Sequence, residues 1–189
     1  MKAPAAVFLD RDGLIIEDVS FIRNPDDARL IPGAAQAIAV LNRRAVPAIV
    51  VTNQSGIARG LLTIADYEAV RRRVDELLAE NGAHIDASYY CPHYPAVSGS
   101  CECRKPGTKL FRDAMRDIGV APANSAYIGD RWRDVAPATA LGGRGILVPS
   151  TATTPDDLRR ADEAGIEKAA TLQEAVDLLF TLTEPTSKK

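Results

Sequence analysis

The sequence predicts an α/β fold, a doubly wound parallel sheet with helices on both faces. Five short apolar runs alternate with longer helical patterns. The runs are apolar throughout rather than at every second position, which is typical of strands buried on both faces. A chain of 189 residues, 46% of them hydrophobic, is long enough to bury one substantial core. We therefore expect a single domain over residues 1–183 and a flexible tail at 184–189.

The first predicted strand, residues 5–9, reads Ala-Ala-Val-Phe-Leu and ends at Asp10. The second, residues 47–52, reads Pro-Ala-Ile-Val-Val-Thr, and Thr63 is the expected N-cap of the helix that follows it. Similar β-rich runs predict strands at residues 85–91, 125–129 and 145–148. Helical patterns cover residues 33–44, 63–80, 109–118 and 132–141.

Composition and charge exclude several classes of partner. The net charge of −2 gives no reason to expect nucleic acid or an anionic membrane as partner. No apolar run approaches the roughly 20 residues of a membrane span, and the N-terminus reaches a charge too early for a signal peptide. The three cysteines are an odd number, so they cannot all form disulfides within the chain, and they fall within thirteen positions. This favours a reducing cytoplasm and metal-bound thiolates. We expect a cytoplasmic monomer.

A cluster of soft ligands lies between residues 91 and 103. Cys91-x-His93 and Cys101-x-Cys103 are two close pairs, and together they suit tetrahedral Zn²⁺. The bland alternative is three unrelated buried thiols. A catalytic zinc is disfavoured because four donors from one tight loop leave no open coordination position. We expect a structural zinc that shapes this loop.

Acidic residues follow two of the predicted strands. Asp10 and Asp12 come after the first strand and Asp130 after the fourth, and ligands bind at the carboxyl ends of strands in such sheets. Close carboxylates suit Mg²⁺, and a carboxylate can also attack phosphorus. The structural alternative is that these residues cap a strand, a turn and a helix. Asp134 needs no metal to explain it, because an acidic residue in the first turn of a helix interacts favourably with the helix dipole.

Groups suited to an anion complete the predicted site. Thr52-Asn53-Gln54 ends the second strand with a hydroxyl and two amides. Arg104 and Lys105 directly follow the cysteine cluster, which would fix a pair that is usually solvated surface. Together these residues indicate a site for a phosphate group.

Four motifs resemble, in order, the signature motifs of the haloacid dehalogenase phosphatase superfamily, whose fold is Rossmann-like. They span residues 8–134 and read Phe-Leu-Asp10-Arg-Asp12-Gly13, Val-Thr52-Asn-Gln-Ser-Gly56, Arg104-Lys105-Pro106 and Ile-Gly-Asp130. The cysteine cluster resembles the zinc loop of the heptose bisphosphate phosphatase branch, and the related histidinol-phosphate phosphatases share that loop.

The resemblance implies a role for each residue. Asp10 is the expected nucleophile, and Asp12 the general acid and base. Mg²⁺ is expected at Asp10, Asp130 and Asp12, the last through its backbone carbonyl, while Thr52 and Lys105 stabilise the phosphoryl group. Structural Zn²⁺ is expected at Cys91, His93, Cys101 and Cys103. Substrate contacts are expected from Arg11, Asp18, Phe21, Asn53, Gln54, Ser55, Arg104 and Arg131.

The implied activity is removal of the C7 phosphate of D-glycero-D-manno-heptose 1,7-bisphosphate through an aspartyl phosphate, in nucleotide-heptose biosynthesis. The alternative is a histidinol-phosphate phosphatase or a broad phosphomonoesterase. The gaps after the first two motifs are too short for a large cap domain. One departure from the family is Leu14-Ile15-Ile16, because the family often has an asparagine at the third position. We expect this apolar Ile16 near the mouth of the site.

Overall fold

The computed structural model describes residues 3–181, which form a six-stranded parallel sheet with helices on both faces. The strand order is β3-β2-β1-β4-β5-β6, and every neighbouring pair is parallel. The strands are β1 Val7–Leu9, β2 Ala48–Asn53, β3 Ala87–Cys91, β4 Ala126–Gly129, β5 Arg144–Leu147 and β6 Glu167–Lys168. The doubly wound parallel sheet predicted from the sequence is confirmed.

Eight α-helices and two 3-10 turns connect the strands within residues 3–181. The helices are α1 Ala34–Arg43, α2 Ile64–Glu80, α3 Pro95–Ser98, α4 Lys109–Ile118, α5 Trp132–Val135, α6 Pro137–Leu141, α7 Pro155–Glu163 and α8 Leu172–Phe180; the 3-10 turns are Pro25–Asp27 and Pro122–Asn124. None of these helices has the length and apolar character needed to cross a membrane.

The core lies on both sides of the sheet because alternate residues of each strand face opposite ways. In β1, Val7 and Leu9 pack on the side of α1 and α8, whereas Phe8 packs on the side of α4. Phe8 stacks on Tyr127 at 5.2 Å and meets Phe111 edge to face at 5.4 Å. Both sides are apolar, which explains why the strands read as continuous apolar runs.

Most predicted elements are confirmed, with one error and four omissions among the strands and α-helices. The Thr63 side chain accepts a hydrogen bond from the Asp66 backbone, so it caps α2 as predicted. The prediction of one helix over residues 132–141 is wrong. Pro137 has no N–H and starts a new helix, α6, directly after α5. The sequence patterns also failed to reveal β6, the short helix α3, α7 and α8, although Thr154 and Thr171 give ordinary start signals for α7 and α8.

The topology places the site. β1 is flanked by β2 and β4, so the chain leaves β1 towards one side of the sheet and returns to its other side at β4. Ligands of open parallel sheets bind in the crevice at such a switch point. Within residues 3–181 the loops after β1 and β2 hold no helical cap domain. The predicted tail at 184–189 lies outside the described residues.

Candidate active site

A polar cavity of about 230 Å³ opens at the carboxyl ends of β1, β2 and β4. Loops after these three strands form its walls, and Arg104 enters from the segment that follows the cysteine cluster. The remaining lining residues are Asp10, Arg11, Asp12, Asp18, Val19, Ser20, Phe21, Ile22, Thr52, Asn53, Gln54, Ser55, Gly56, Asp130, Arg131 and Arg133.

Asp10 lies directly after β1 and is only 4% exposed. Its Oδ1 accepts a hydrogen bond from the Arg11 backbone N–H at 2.7 Å and lies 2.9 Å from Lys105 Nζ. Burial opposes ionisation, but Lys105, and after it Arg133, hold the pKa of the Asp10 carboxyl below its usual value. No hydrogen bond within residues 3–181 engages Oδ2. Asp10 is therefore a charged carboxylate with one oxygen unengaged at the cavity wall.

Lys105 is buried beneath Asp10 and does not line the cavity. Its ammonium has three oxygen neighbours, Asp10 Oδ1, Asp134 Oδ1 at 2.7 Å and the Val51 carbonyl at 2.6 Å. Burial alone would lower the pKa of Lys105, but Asp10 and Asp134 raise it above its usual value. Lys105 is thus a fixed positive charge, not the mobile surface group that a lone lysine suggests.

Asp10, Asp130 and Asp134 form a buried carboxylate group whose candidate ligand oxygens lie within 4.8 Å of one another. Asp130 Oδ2 accepts a hydrogen bond from Ser150 Oγ at 2.5 Å, whereas its buried Oδ1 has no hydrogen-bond partner within residues 3–181. Burial, followed by the charge of Asp10, raises the pKa of Asp130 to about 7. Crowded carboxylates with a buried, unpartnered oxygen fit a hard divalent cation such as Mg²⁺.

The Asp12 carboxylate is not a member of that group and is held by other residues. Arg11 donates to both of its oxygens, at 2.9 Å from Nη2 to Oδ1 and 3.1 Å from Nη2 to Oδ2. Gln54 Nε2 donates to Oδ2 at 2.8 Å, and Thr52 Oγ1 lies 3.4 Å from the same oxygen. Arg11 is itself fixed under the Tyr67 ring, 5.3 Å from its centroid. The carboxylate of Asp12 therefore has a set orientation at the cavity.

The four predicted zinc ligands converge. The three sulfur–sulfur distances are 3.2 Å for Cys91–Cys103, 3.5 Å for Cys101–Cys103 and 3.7 Å for Cys91–Cys101. His93 Nδ1 lies 3.1 Å from Cys103 Sγ and 3.6 Å from Cys91 Sγ. Zinc–sulfur bonds of about 2.3 Å in a tetrahedron separate sulfurs by about 3.8 Å, so the cluster fits Zn²⁺ with little adjustment. All four positions are filled by protein, which favours a structural ion.

The cluster is joined to the cavity by two contacts. Arg104 Nη1 donates to the His93 carbonyl at 3.2 Å. Asn53 Oδ1 accepts a hydrogen bond from the backbone N–H of Lys105 at 3.0 Å, and Asn53 Nδ2 donates to the backbone carbonyl of Lys105 at 3.2 Å. The loop after β3 is thereby attached to the end of β2, and Lys105 is directed under Asp10.

Comparison with known proteins identifies the family. A HAD-hydrolase-like family model matches residues 102–175. The chain is 36% identical over 164 residues to D-glycero-β-D-manno-heptose-1,7-bisphosphate 7-phosphatase of Haemophilus ducreyi, covering 83% of this chain and 90% of that protein. It is 33% identical over 181 residues to the Escherichia coli K12 protein of the same name, covering 93% and 95%. The chain belongs to the haloacid dehalogenase-like (HAD) phosphatases.

A solved structure agrees with this HAD assignment. The crystal structure of D,D-heptose 1,7-bisphosphate phosphatase from Bordetella bronchiseptica, complexed with magnesium and phosphate, superposes with a TM-score of 0.83. The two chains are 33% identical, and the match covers 92% of this chain and 97% of the other. HAD phosphatases use Mg²⁺, and the carboxylate group of this chain suits that ion.

The structure brings together nearly all site residues that the sequence predicts. The eight predicted substrate-binding residues all line the cavity, as do the catalytic candidates Asp10, Asp12 and Thr52. Two points differ from expectation. Lys105 lies behind Asp10 rather than in the cavity lining, and the buried carboxylate group includes Asp134, for which the sequence left a purely helix-stabilising role open.

The prediction that Ile16 lies near the mouth is wrong. Leu14, Ile15 and Ile16 are at most 1% exposed and belong to the core between the sheet and α1. Ile16 is held there by isolated β-bridges to Asp12 and Leu30. The apolar residue therefore fills the core and leaves the cavity lining unchanged.

Sequence reasoning missed Arg133. It lines the cavity two residues after Arg131 and is a source of positive charge for Asp10 and Asp130. The available signal was the Arg-Trp-Arg run between Asp130 and Asp134.

Proposed function

We propose that the protein is a Mg²⁺-dependent phosphatase that removes the C7 phosphate of D-glycero-D-manno-heptose 1,7-bisphosphate and releases the 1-phosphate. The observation that most strongly supports phosphate chemistry is Asp10, whose Oδ1 is held by two donors while Oδ2 is unengaged at the cavity. The substrate is taken from the relatives, which are named for the β anomer of this sugar. The β anomer is accordingly the first choice.

Asp10 acts as the nucleophile in this proposal. An oxygen of its carboxylate forms a bond to phosphorus while the bond from phosphorus to the C7 oxygen breaks, and Asp12 gives its proton to that leaving oxygen. Water, deprotonated by Asp12, then attacks phosphorus, which releases inorganic phosphate and restores Asp10. A positioned general acid contributes typically about 10²–10⁴-fold to such a rate. Arg11 and Gln54 hold Asp12 in place for both steps.

Two metal ions complete the proposal. Mg²⁺ at Asp10, Asp130 and the backbone carbonyl of Asp12 supplies charge neutralisation for the phosphoryl group. Zn²⁺ at Cys91, His93, Cys101 and Cys103 has a structural role in placing Arg104 and Lys105. The carboxylate of Asp134 pairs with the Lys105 ammonium, and the charge of Lys105 keeps Asp10 ionised. Thr52 orients Asp12 and Gln54 through its hydroxyl.

Substrate choice is assigned to the rim of the cavity. Asp18 and Phe21 lie on the loop after β1, Ser55 on the loop after β2, and Arg131 after β4. They surround the buried carboxylates. Because the reacting phosphate binds at those carboxylates, the sugar would lie against the surrounding residues. We further propose that the protein is cytoplasmic, because three free thiols in a metal cluster suit a reducing compartment. A monomer is the oligomeric state that we propose with it. Its product would enter nucleotide-heptose biosynthesis.

Phosphate release from purified protein tests the proposal. The substrates are both anomers of heptose 1,7-bisphosphate and histidinol phosphate, each with and without Mg²⁺. We expect the highest kcat/KM for the β anomer, dependence on Mg²⁺, and retention of the C1 phosphate in the product by ³¹P NMR. A higher kcat/KM for histidinol phosphate would reject the heptose assignment. No release from any of the three would indicate a binding protein rather than an enzyme.

A further inference from the structure

Four arginines line the cavity, and three of them are already engaged by protein acceptors. Arg11 donates to both oxygens of Asp12. Arg131 Nε donates to Asp157 Oδ2 at 2.7 Å, and Arg104 Nη1 donates to the His93 carbonyl. These bonds fix the three guanidinium groups against the walls of the cavity.

Arg133 differs from the other three. No hydrogen bond joins its guanidinium to any residue between 3 and 181, and its Nε is buried without a partner. Its nearest carboxylate oxygen, Asp134 Oδ1, lies 3.7 Å from Nε, beyond ordinary hydrogen-bond distance. The side chain is 38% exposed, so part of it remains open to the cavity that it lines. Because a guanidinium has five N–H donors and no hydrogen bond within the described residues uses them, the exposed part of Arg133 is available to an acceptor that enters the cavity.

The position of Arg133 is close to the proposed nucleophile. Its charge helps to lower the pKa of Asp10, after the larger effect of Lys105. It also opposes the rise in the pKa of Asp130 that burial and Asp10 cause. Its Nε lies 3.7 Å from Asp134 Oδ1, and that oxygen is 2.7 Å from the Lys105 ammonium that contacts Asp10. The guanidinium is therefore near the carboxylates around which the phosphoryl group would be transferred.

Lys105 has little donor capacity left for that phosphoryl group. An ammonium has three N–H donors, and three oxygens already surround Lys105 Nζ at 2.6 to 2.9 Å. Thr52 Oγ1 accepts a hydrogen bond from Gln54 Nε2 at 2.9 Å and donates its own proton to Asp12 Oδ2. These two side chains next to Asp10 thus have few unused donors, whereas no hydrogen bond within the described residues uses a donor of the Arg133 guanidinium.

We propose that Arg133 is a further catalytic residue, whose guanidinium binds the equatorial oxygens of the phosphoryl group that is transferred to Asp10. The inference rests on the proposed phosphatase activity but not on the identity of the sugar. The charges agree with it. The charges of Asp10, Asp130 and Asp134 are balanced by Lys105 and one Mg²⁺. Arg133 and Arg104, whose acceptor is a neutral carbonyl, therefore supply the positive charge that remains for an incoming phosphate dianion. A planar guanidinium also matches two phosphate oxygens better than an ammonium does.

Arg133→Met and Arg133→Lys test the proposal, with Arg72→Met as the matched control. Arg72 is exposed on α2 and has no hydrogen bond to any residue in the described part of the chain. The readouts are kcat and KM for heptose bisphosphate and for p-nitrophenyl phosphate, and the inhibition constant of orthovanadate with Mg²⁺. We expect Arg133→Met to lower kcat about 10²-fold with both esters and to weaken vanadate by a similar factor. Arg133→Lys should recover only part of the loss, and Arg72→Met should behave as wild type.

Chemical rescue separates a catalytic from a structural role. Arg133→Ala protein should regain activity on addition of millimolar guanidinium ion, with an unchanged melting temperature. Absence of rescue, or a vanadate inhibition constant within threefold of wild type in Arg133→Met, would show that Arg133 only offsets the nearby carboxylates and would overturn the proposal.

The two proposals fail in different ways. Poor activity of the wild type on heptose bisphosphate, with normal hydrolysis of p-nitrophenyl phosphate, would reject the sugar assignment alone. If the wild type hydrolyses neither ester, calorimetric binding of inorganic phosphate with Mg²⁺ still decides the role of Arg133. Equal affinity of wild type and Arg133→Met for phosphate would then overturn it.

Discussion

The ammonium of Lys105 lies 2.9 Å from Oδ1 of Asp10, and both side chains are almost completely buried. The same ammonium lies 2.7 Å from Asp134 Oδ1, so one lysine is placed between two carboxylates. An aspartate in such a buried place would normally be protonated, because burial disfavours the charged form. Lys105 reverses that preference and holds the proposed nucleophile as a carboxylate.

Replacing Lys105 should therefore damage both stability and activity. In Lys105→Met, Asp10 and Asp134 lose their countercharge, and breaking a buried pair costs about 3–5 kcal/mol. We expect this loss in the free energy of urea unfolding, together with loss of phosphate release. The matched control is Lys109→Met, which removes an ion pair with Asp113 at the surface. Such a pair contributes less than about 1 kcal/mol to the free energy of unfolding. Equal stability of the two variants would contradict the buried role of Lys105.

The Asp157 carboxyl should make stability depend on pH below neutrality. It accepts hydrogen bonds from Thr154, from Arg131 Nε and from the Trp132 backbone N–H. Partial burial opposes ionisation of this carboxyl, but the hydrogen bonds outweigh it and hold the pKa at about 2. Because the folded pKa is below the unfolded value of about 3.9, its stabilisation is complete above pH 4 and is lost as the pH falls towards 2. Asp157→Asn should thus be destabilised by about 2 kcal/mol at pH 7, and by much less near pH 2.

Asp156 provides the comparison for this pH effect. It is an exposed residue of the same helix, paired with Arg159 and Arg160. Asp156→Asn should change the unfolding free energy by less than about 1 kcal/mol at pH 7. Thermal melts of both variants and the wild type between pH 2 and 7 give the answer. A gap between Asp157→Asn and wild type that stays constant with pH would contradict the assigned cause.

Removing one zinc ligand should loosen the loop that leads to Lys105. Cys101→Ser leaves three donors, so we expect lower zinc content by elemental analysis and a lower melting temperature. Arg104 is bonded to the His93 carbonyl, and its loss of position should raise KM more than it lowers kcat. Ser100→Ala, an exposed neighbour, is the control. Normal zinc content and unchanged kinetics in Cys101→Ser would refute a structural zinc at this cluster.

The sequence was sufficient to predict the sheet and the convergence of the motifs at its carboxyl edge. Continuous apolar runs mark buried parallel strands, and strand ends meet at one edge whatever the details of packing. Asp10, Thr52 and Asp130 could be brought together on that ground alone. The ligand spacing of Cys91, His93, Cys101 and Cys103 likewise predicted a cluster that the structure forms.

What the sequence could not predict are contacts made across the fold. The insertion of Lys105 between Asp10 and Asp134 depends on how the loop after β3 crosses the end of β2. The hold of Arg11 on Asp12 depends on Tyr67, a residue of α2 far away in the chain. Ile16 points into the core because Leu30 bridges to it, and no local pattern reveals that pairing. Such long-range contacts decide orientation, whereas motifs only decide proximity.

The most direct test of the account uses Asp12→Asn with heptose 1,7-bisphosphate that carries ³²P at C7. Asp12→Asn lacks both the acid for the leaving oxygen and the base for water, so the phosphoryl group should be transferred slowly and then remain on the enzyme. After an incubation long enough for this slow transfer and acid quenching, peptide mapping should place the label on Asp10. Asp10→Asn should show no label. Contradiction would come from label on another residue, or from an Asp12→Asn protein that releases labelled phosphate without any label on Asp10.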